Sequence, residues 1–329
     1  MRAGRTAGIV GTLAALAVVA GGPRASVDGS WSLPELPADL EGHLREAEAS
    51  VPDLRPGDSK RILRAGPQER TPLAIGYIHG FTADPHEVEP LVSELSGALG
   101  AHAYFARLSG HGRAPEAMAD VRATDWMQDA AETVAVARRL GERVVLVGTS
   151  TGATLAIWAA LQPELARDVA ALVLLSPNFG PADPRSGILL WPWGGLIARL
   201  VEGRERCYPT HGPLHERHWT ECHPTSVLLP MMALVAHVRD APLERIRVPV
   251  LVAYSPEDRV VDPERIRAAH ARFGSTEKEL WAVPDVGDPD RHVLAGDALS
   301  PGTTELVRER IVRFLERTGV AESPGRDPH

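Results

Sequence analysis

The chain has 329 residues, of which 44% are hydrophobic and 24% are charged. This balance is typical of a folded globular protein with one large domain or two ordinary ones. The formal net charge is −8 and the arginines are scattered rather than clustered, so the sequence argues against nucleic acid as a partner.

The first 25 residues differ in kind from the rest. Arg2 and Arg5 precede an apolar run at 9–20 that ends in small residues, a pattern typical of a secretory signal peptide. The run is shorter than the roughly twenty residues that span a bilayer, but an uncleaved membrane anchor and a disordered N-terminus stay open as alternatives. We therefore expect a protein that is exported, either secreted or held in the periplasm or cell envelope.

Residues 26–66 are rich in Pro, Asp and Glu and predict an arm on the domain surface, with helical spacing only around 40–49. From residue 67 to 320, short β-rich runs alternate with amphipathic helices, and 321–329 form a predicted flexible tail. The expected strands lie at 73–78, 101–108, 143–147, 170–175, 248–254 and 277–283. The expected helices lie at 85–99, 124–140, 151–160, 226–238 and 304–318, with Thr124 as an N-cap and Gly141 as a stop.

Near-continuous apolar strands separated by helices predict an α/β fold with a mostly parallel twisted sheet, covered by helices on both faces. The alternation breaks at about 177–247. An insertion of this size with apolar surface of its own predicts a helical lid over the carboxyl end of the sheet, where ligands of such sheets gather.

The stretch Gly148-Thr-Ser150-Thr-Gly152 directly follows a predicted strand and precedes a predicted helix. A strand that reverses into a helix this quickly crowds its backbone, and glycines two residues before and after the apex remove the Cβ atoms that would collide. This is the nucleophile elbow, with Ser150 as the candidate nucleophile. The pentapeptide alone is a weak signal, so the residues around it must support it.

Two later loops supply a candidate acid and a candidate base. Asp258 follows the strand at 248–254, and His292 follows the strand at 277–283, which gives the chain order Ser, Asp, His that the elbow requires. Alternative acids are Asp262, Asp288 and Asp290. The rival histidines precede the nucleophile; they are His79, His86 and His111. We expect His79 and His111 to shape loops by hydrogen bonding.

A candidate oxyanion hole lies where the first predicted strand ends in His79-Gly80-Phe81. Glycine there lets the backbone turn, so that the N–H of Phe81 can point at a developing negative oxygen. Thr151 begins the helix after the elbow, so its N–H is free and the helix dipole adds to it. Phe81 and Thr151 are therefore the predicted donors.

Five motifs in this order resemble the α/β-hydrolase fold family, with most similarity to bacterial carboxylesterases and monoacylglycerol-lipase-like serine hydrolases. The resemblance covers about residues 70–320 and is carried by His79-Gly80-Phe81, Leu108-Ser-Gly-His-Gly112, the elbow and the loops of Asp258 and His292. It implies a Ser150–His292–Asp258 triad, a helical lid and hydrolysis of esters with an apolar acyl group through an acyl-enzyme, with no cofactor or catalytic metal.

Several alternatives stay open at this point. An acyltransferase, thioesterase or amidase would use the same triad, and a non-catalytic binding module or a membrane-anchored interaction protein would not use it. Cys207 and Cys222 are the only cysteines and could form one disulfide, stay unpaired, or bind zinc with nearby histidines. Prolines and the lack of standard finger spacing argue against zinc.

Overall fold

The computed structural model of the protein describes residues 21–322, so most of the predicted signal segment and residues 323–329 of the predicted tail lie outside the described residues. The strands are β1 (Arg61–Leu63), β2 (Thr71–Ile78), β3 (His102–Phe105), β4 (Gly141–Thr149), β5 (Val169–Leu175), β6 (Glu205–Cys207), β7 (Cys222–Pro224), β8 (Val250–Tyr254) and β9 (Lys278–Ala282).

The α-helices of the described residues are α1 (Leu40–Ala49), α2 (Leu91–Leu99), α3 (Ala123–Leu140), α4 (Thr151–Leu161), α5 (Pro163–Ala166), α6 (Gly194–Glu202), α7 (Pro213–His218), α8 (Leu228–Arg239), α9 (Pro263–Arg272) and α10 (Thr304–Arg317). Short 3₁₀ helices lie at Pro115–Met118, Pro184–Leu190, Thr225–Val227, Leu243–Arg245 and Pro301–Thr303.

One sheet organises the described residues, with the strand order β1-β3-β2-β4-β5-β8-β9. All neighbours in it are parallel except β1, which runs antiparallel to β3. Because the carboxyl ends of parallel strands meet at one edge, the loops that follow β2, β4, β5, β8 and β9 are brought together there. The mostly parallel α/β sheet predicted from the sequence is confirmed.

The apolar side chains of each strand alternate between two layers of core. Ile78 and Leu146 pack on one face with α3, α4 and α8, whereas Tyr77 and Val147 pack on the other face with α2 and α10. Side chains of successive strand residues point to opposite faces of a sheet, and both faces are covered here. The strands are therefore apolar along nearly their whole length.

The segment at 26–66 contributes α1 and β1. Helix α1 has the bounds that the sequence indicates, and β1 adds an edge strand to the sheet through β3. A buried ion pair joins α1 to the rest of the chain, because Glu48 accepts hydrogen bonds at 2.7 Å from both Nε and Nη2 of Arg107.

Three local predictions are wrong in part. The helix predicted at 85–99 begins only at Leu91, since Pro90 has no N–H and disfavours a helical conformation in the residue before it. The strand predicted at 101–108 is limited to β3. Helix α3 has Arg122 rather than Thr124 at its N-cap, and the Thr124 hydroxyl instead donates a hydrogen bond to the Asp28 carbonyl at 2.8 Å.

The insertion between β5 and β8 contains α6, α7, α8 and a two-stranded antiparallel ribbon of β6 and β7. Cys207 and Cys222 face each other in this ribbon and form a disulfide. The two sulfur atoms bond each other, so the alternatives of unpaired thiols and of a zinc site built on these cysteines are wrong.

Candidate active site

Ser150 lies at a strained turn between β4 and α4, with φ 53° and ψ −118°. The flanking glycines are sterically required. A Cβ at Gly152 would lie 2.1 Å from the Ile78 carbonyl oxygen, and one at Gly148 would lie 2.6 Å from the Gly152 carbonyl oxygen. Strained backbone of this kind persists only where its surroundings hold it, and here close packing against β2 does so.

Backbone hydrogen bonds fasten the elbow to the loop after β5. The Ser150 N–H donates to the Leu175 carbonyl at 2.8 Å, and the Asn178 N–H donates to the Ser150 carbonyl at 3.1 Å. The Ser176 hydroxyl in turn donates to the His292 carbonyl at 2.7 Å. The loop after β5 therefore contacts both the elbow and the loop that carries the candidate base.

His292 and Asp258 form a buried pair at the same edge of the sheet. His292 Nδ1 lies 2.8 Å from Asp258 Oδ2, and Asp258 Oδ1 accepts the N–H groups of Val260 and Val261 at 2.8 and 2.9 Å. These bonds fix the carboxylate, which in turn orients the imidazole. Because Nδ1 is bonded to Asp258, Nε2 is the nitrogen of His292 that is left to accept a proton.

The three alternative acids have other partners. Asp288 Oδ2 accepts the N–H groups of His292 and Val293 and so shapes the loop of the base. Asp262 caps α9 by accepting the Glu264 N–H. Asp290 Oδ2 lies 3.7 Å from His211 Nε2. Only Asp258 lies against the imidazole nitrogen of His292.

The environment of His292 favours its protonated form. Burial alone would lower the pKa of His292, but the charge of Asp258 and the hydrogen bond to it outweigh burial, so the pKa is raised above its ordinary value. A base whose pKa is raised by a paired carboxylate accepts a proton from a hydroxyl more readily.

The Ser150 hydroxyl makes no hydrogen bond with His292 or with any other residue in the range 21–322. Catalytic hydrogen bonds in the absence of substrate are often long and tighten when substrate binds. The structure thus brings Asp258 and His292 into direct contact and places Ser150 at the same edge of the sheet, without a hydrogen bond to either.

One predicted oxyanion donor, Phe81, lies in the loop after β2, and the other, Thr151, directly follows the nucleophile in the elbow. Neither the Phe81 N–H nor the Thr151 N–H donates to an acceptor within the described part of the chain. Gly80, directly before Phe81, lies close to the nucleophile, since a Cβ there would come within 3.2 Å of the Ser150 Cβ. Both amides are therefore available to a ligand near the hydroxyl.

His79 and His111 are neutral side chains that hold the loop at 79–82 after β2, here called the oxyanion loop. His79 Nδ1 donates to the Gly80 carbonyl at 2.8 Å, and its Nε2 accepts the Leu108 N–H at 3.0 Å. Burial lowers the pKa of His79 to about 4 and lowers the pKa of His111 well below its ordinary value. The Thr82 N–H donates to His111 Nε2 at 3.1 Å, as expected for histidines that shape loops.

Glu87 is a site residue that sequence reasoning missed. Its Oε2 accepts the Gly80 N–H at 2.7 Å and the Tyr77 hydroxyl at 2.9 Å. Burial raises the pKa of Glu87 to about 7, although both hydrogen bonds and the nearby charge of His292 act to lower it. No motif could have indicated this residue, because its position in a predicted amphipathic helix is ordinary.

The insertion packs directly on the oxyanion loop. The Tyr208 hydroxyl and the Thr82 Oγ1 are 2.8 Å apart, and the Thr220 N–H donates to the Thr82 carbonyl at 2.8 Å. The ring of His223 lies 5.2 Å from that of Phe81, centroid to centroid. Ser150 is only 6% exposed, so the candidate nucleophile is nearly covered.

A parallel sheet with a serine at a strand-to-helix elbow and an Asp–His pair on later loops defines the class of α/β-hydrolase folds. The chain belongs to the Alpha/beta hydrolase family, whose family model matches residues 77–299.

Similar proteins include a thermostable monoacylglycerol lipase from Bacillus sp. (strain H-257), which is 29% identical over 251 residues covering 76% of this chain and 92% of that protein. A solved structure described with the metagenome-derived lipolytic enzymes LipS and LipT has a TM-score of 0.65 at 22% identity, covering 80% of this chain and 99% of that chain. The monoacylglycerol lipase of Paleococcus ferrophilus has a TM-score of 0.57 at 15% identity, covering 79% and 98%. At these identities the solved structures establish the shared fold.

Proposed function

We propose that the protein hydrolyses carboxylic esters by transferring the acyl group first to Ser150 and then to water. The observation that carries this proposal is the buried contact of 2.8 Å between His292 Nδ1 and Asp258 Oδ2, at the sheet edge where Ser150 forms a strained turn. Family membership and the lipase name of a relative that matches most of the chain support the same reaction.

In the first half of the proposed reaction, Ser150 Oγ bonds to the ester carbonyl carbon and its proton passes to His292 Nε2. Asp258 stabilises the imidazolium through Nδ1–H, and the Phe81 and Thr151 amides donate to the negative oxygen. The bond from the carbonyl carbon to the alcohol oxygen then breaks. The leaving alcohol takes the proton from His292, and the acyl group stays on Ser150.

In the second half, a water molecule occupies the position of the departed alcohol and loses a proton to His292 Nε2. Its oxygen attacks the acyl carbon, and the same two amides stabilise the second tetrahedral intermediate. Collapse returns the proton to Ser150 Oγ and releases the carboxylic acid. Each of the two steps moves one proton through the same imidazole.

We propose esters with a short to medium acyl chain, or monoacylglycerol-like esters, as substrates. Two apolar side chains support an apolar acyl group: that of Phe81, whose backbone N–H is a candidate oxyanion donor, and that of Met231 in the insertion. The Met231 sulfur accepts a hydrogen bond from Asn178 Nδ2 at 3.7 Å, and the Asn178 backbone N–H donates to the Ser150 carbonyl. The relative from Bacillus sp. is named a monoacylglycerol lipase. The insertion would act as a lid that moves to admit this substrate.

We also propose that the protein is exported. The charged and apolar pattern of residues 1–25 supports this, as does the Cys207–Cys222 disulfide, since disulfides persist mainly in oxidising compartments. Residues 21–322 include no helix that is long and apolar enough to cross a bilayer. Whether the N-terminal segment is cleaved or anchors the protein to a membrane is decided by the mass of the mature chain.

The proposal is tested with Ser150→Ala and a series of p-nitrophenyl esters of increasing acyl length. We expect kcat/KM to fall at least about 10⁴-fold while the circular dichroism spectrum and Tm are retained. Turnover that survives in Ser150→Ala would overturn the assignment. Product analysis with an added alcohol separates a hydrolase from an acyltransferase. Relative rates on matched thioesters and amides separate it from a thioesterase or an amidase.

A further inference from the structure

A second cluster of polar side chains lies outside the triad. It consists of Asp58, Asp84, His86 and His218, and one ligand atom of each lies within 4.8 Å of the others. These residues come from three separate parts of the chain. Asp58 precedes β1, Asp84 and His86 follow β2, and His218 ends α7 in the insertion.

The geometry of the cluster centres on Asp84. His218 Nδ1 lies 2.9 Å from Asp84 Oδ2, and His86 Nδ1 lies 3.2 Å from Asp84 Oδ1. The two imidazole rings are 4.7 Å apart and inclined by 32°. Both aspartate side chains are fully buried, and the side chains of His86 and His218 are 27% and 17% exposed. Two imidazole nitrogens and two carboxylates thus face one small volume.

We propose that this cluster binds one Zn²⁺ ion in a tetrahedral site. Zinc takes His nitrogen and Asp oxygen at about 2.0–2.2 Å in four-coordinate sites, and imidazole ligands favour transition metals over Mg²⁺ and Ca²⁺. Ligand atoms around such an ion are about 3.5 Å apart, so the four side chains need to close in by about 1 Å. For Nδ1 of each histidine to bind the ion, the ring proton must reside on Nε2. The Nδ1 bonds of His86 and His218 to Asp84 are then replaced by bonds to the ion.

Two arginines occupy part of the space that the ion needs. Arg55 Nε lies 2.7 Å from Asp58 Oδ2, and Arg217 Nη2 lies 3.2 Å from Asp58 Oδ1. Nevertheless the buried Oδ1 of Asp58 and Nη2 of Arg55 make no hydrogen bond of acceptable geometry. A buried carboxylate oxygen without a hydrogen bond is costly, and an ion would satisfy it. The Arg217 side chain is 40% exposed and can move into water.

The place of the cluster in the fold gives the ion a structural role. Asp84 lies three residues after Phe81, and His218 belongs to the insertion, so the ion would fasten the insertion to the loop that carries a candidate oxyanion amide. A cavity of about 780 Å³ between α1 and residues 51–62 is lined in part by Arg55, whose side chain contacts Asp58 of the cluster. The ion lies outside the proposed triad, and its binding can be measured without any ester.

The test uses the full, tag-free chain, stripped with a chelator and titrated with ZnCl₂. We expect about one Zn²⁺ per chain by elemental analysis and a rise in Tm on binding. The double variant His86→Gln/His218→Gln should bind Zn²⁺ roughly tenfold more weakly or worse. His237→Gln, an exposed histidine outside the cluster, is the matched control and should bind as the wild type does.

A further variant separates a metal site from a plain ion-pair network. Arg217→Gln removes the competing cation, so it should tighten Zn²⁺ binding, whereas in an ion-pair network it would only lower the Tm. The proposal is overturned if the wild type takes up no Zn²⁺, if the double variant binds Zn²⁺ as tightly as the wild type, or if Arg217→Gln does not tighten binding.

Discussion

Asp258 and His292 are 34 residues apart in sequence, yet Asp258 Oδ2 lies 2.8 Å from His292 Nδ1. The contact forms because β8 and β9 are parallel neighbours, so the loops that follow them start at the same edge of the sheet. Asp258 uses its other oxygen for two backbone N–H groups, and the carboxylate is therefore held in one orientation toward the imidazole.

Asp258→Asn should lower kcat for an ester substrate by about 10³–10⁴-fold, because an amide in this position favours the wrong tautomer of His292. Asp262→Asn is the matched control: its carboxylate lies four residues on and caps α9, so kcat should change little. Steady-state kinetics of the two variants measure the difference. Equal losses in both would show that Asp258 acts only by stabilising its loop.

Glu87 should make stability depend on pH. Burial raises the pKa of Glu87 from 4.5 to about 7, so the folded chain binds this proton more tightly than the unfolded chain does. Its contribution is fully present below pH 4.5, is lost as pH rises to about 7, and is constant above that. At 1.36 kcal/mol per pKa unit, the loss is on the order of 3 kcal/mol.

The measurement is the unfolding free energy of the wild type minus that of Glu87→Gln, from denaturant titrations at pH 4.5 to 8. Glutamine keeps a carbonyl oxygen for Gly80 and Tyr77 but does not titrate, so the difference should fall across this range. The same comparison with Glu164→Gln, at an exposed position, should stay nearly flat. A flat difference for Glu87→Gln would mean that the Glu87 carboxyl titrates as it does in water.

Gly152→Ala should destabilise the fold by about 1–3 kcal/mol or more. The added Cβ would lie 2.1 Å from the Ile78 carbonyl oxygen and 2.4 Å from that of His79, and neither backbone atom can move without disturbing β2. Gly97→Ala in α2 is the matched control, because nothing lies within 4 Å of its Cβ. It should stabilise the helix by about 0.5–1 kcal/mol. Thermal unfolding of both variants tests the contrast, and a wild-type Tm for Gly152→Ala would contradict it.

The elbow could be predicted from the sequence because its glycines, nucleophile and flanking elements are adjacent in the chain. The placement of Asp258 and His292 at one edge of the sheet could be predicted because each follows a recognisable strand. The role of Glu87 could not, since its bond to Gly80 depends on a turn at 85–90 where periodicity favours a helix. The Asp84–His218 contact joins residues 134 apart in sequence, and only tertiary packing brings them together.

Removing the disulfide should weaken the contact between the insertion and the oxyanion loop. The Cys207–Cys222 bond closes a separation of 15 residues, which corresponds to about 3 kcal/mol in the chain-entropy account. Tyr208 and Thr220, each within two residues of a cysteine, bond to Thr82. Cys207→Ser/Cys222→Ser should therefore lower both Tm and kcat/KM. A reductant should lower both values in the wild type and leave those of the variant unchanged. A wild type that is indifferent to reduction would contradict it.

The most direct test of the account is covalent labelling of the protein with a fluorophosphonate, followed by peptide mass spectrometry. The account predicts one adduct per chain, formed as Ser150 Oγ bonds to phosphorus and fluoride leaves, with no adduct in Ser150→Ala and greatly slowed labelling in His292→Ala. An unlabelled wild-type chain, or an adduct on a serine other than Ser150, would contradict the claim that Ser150 is the nucleophile.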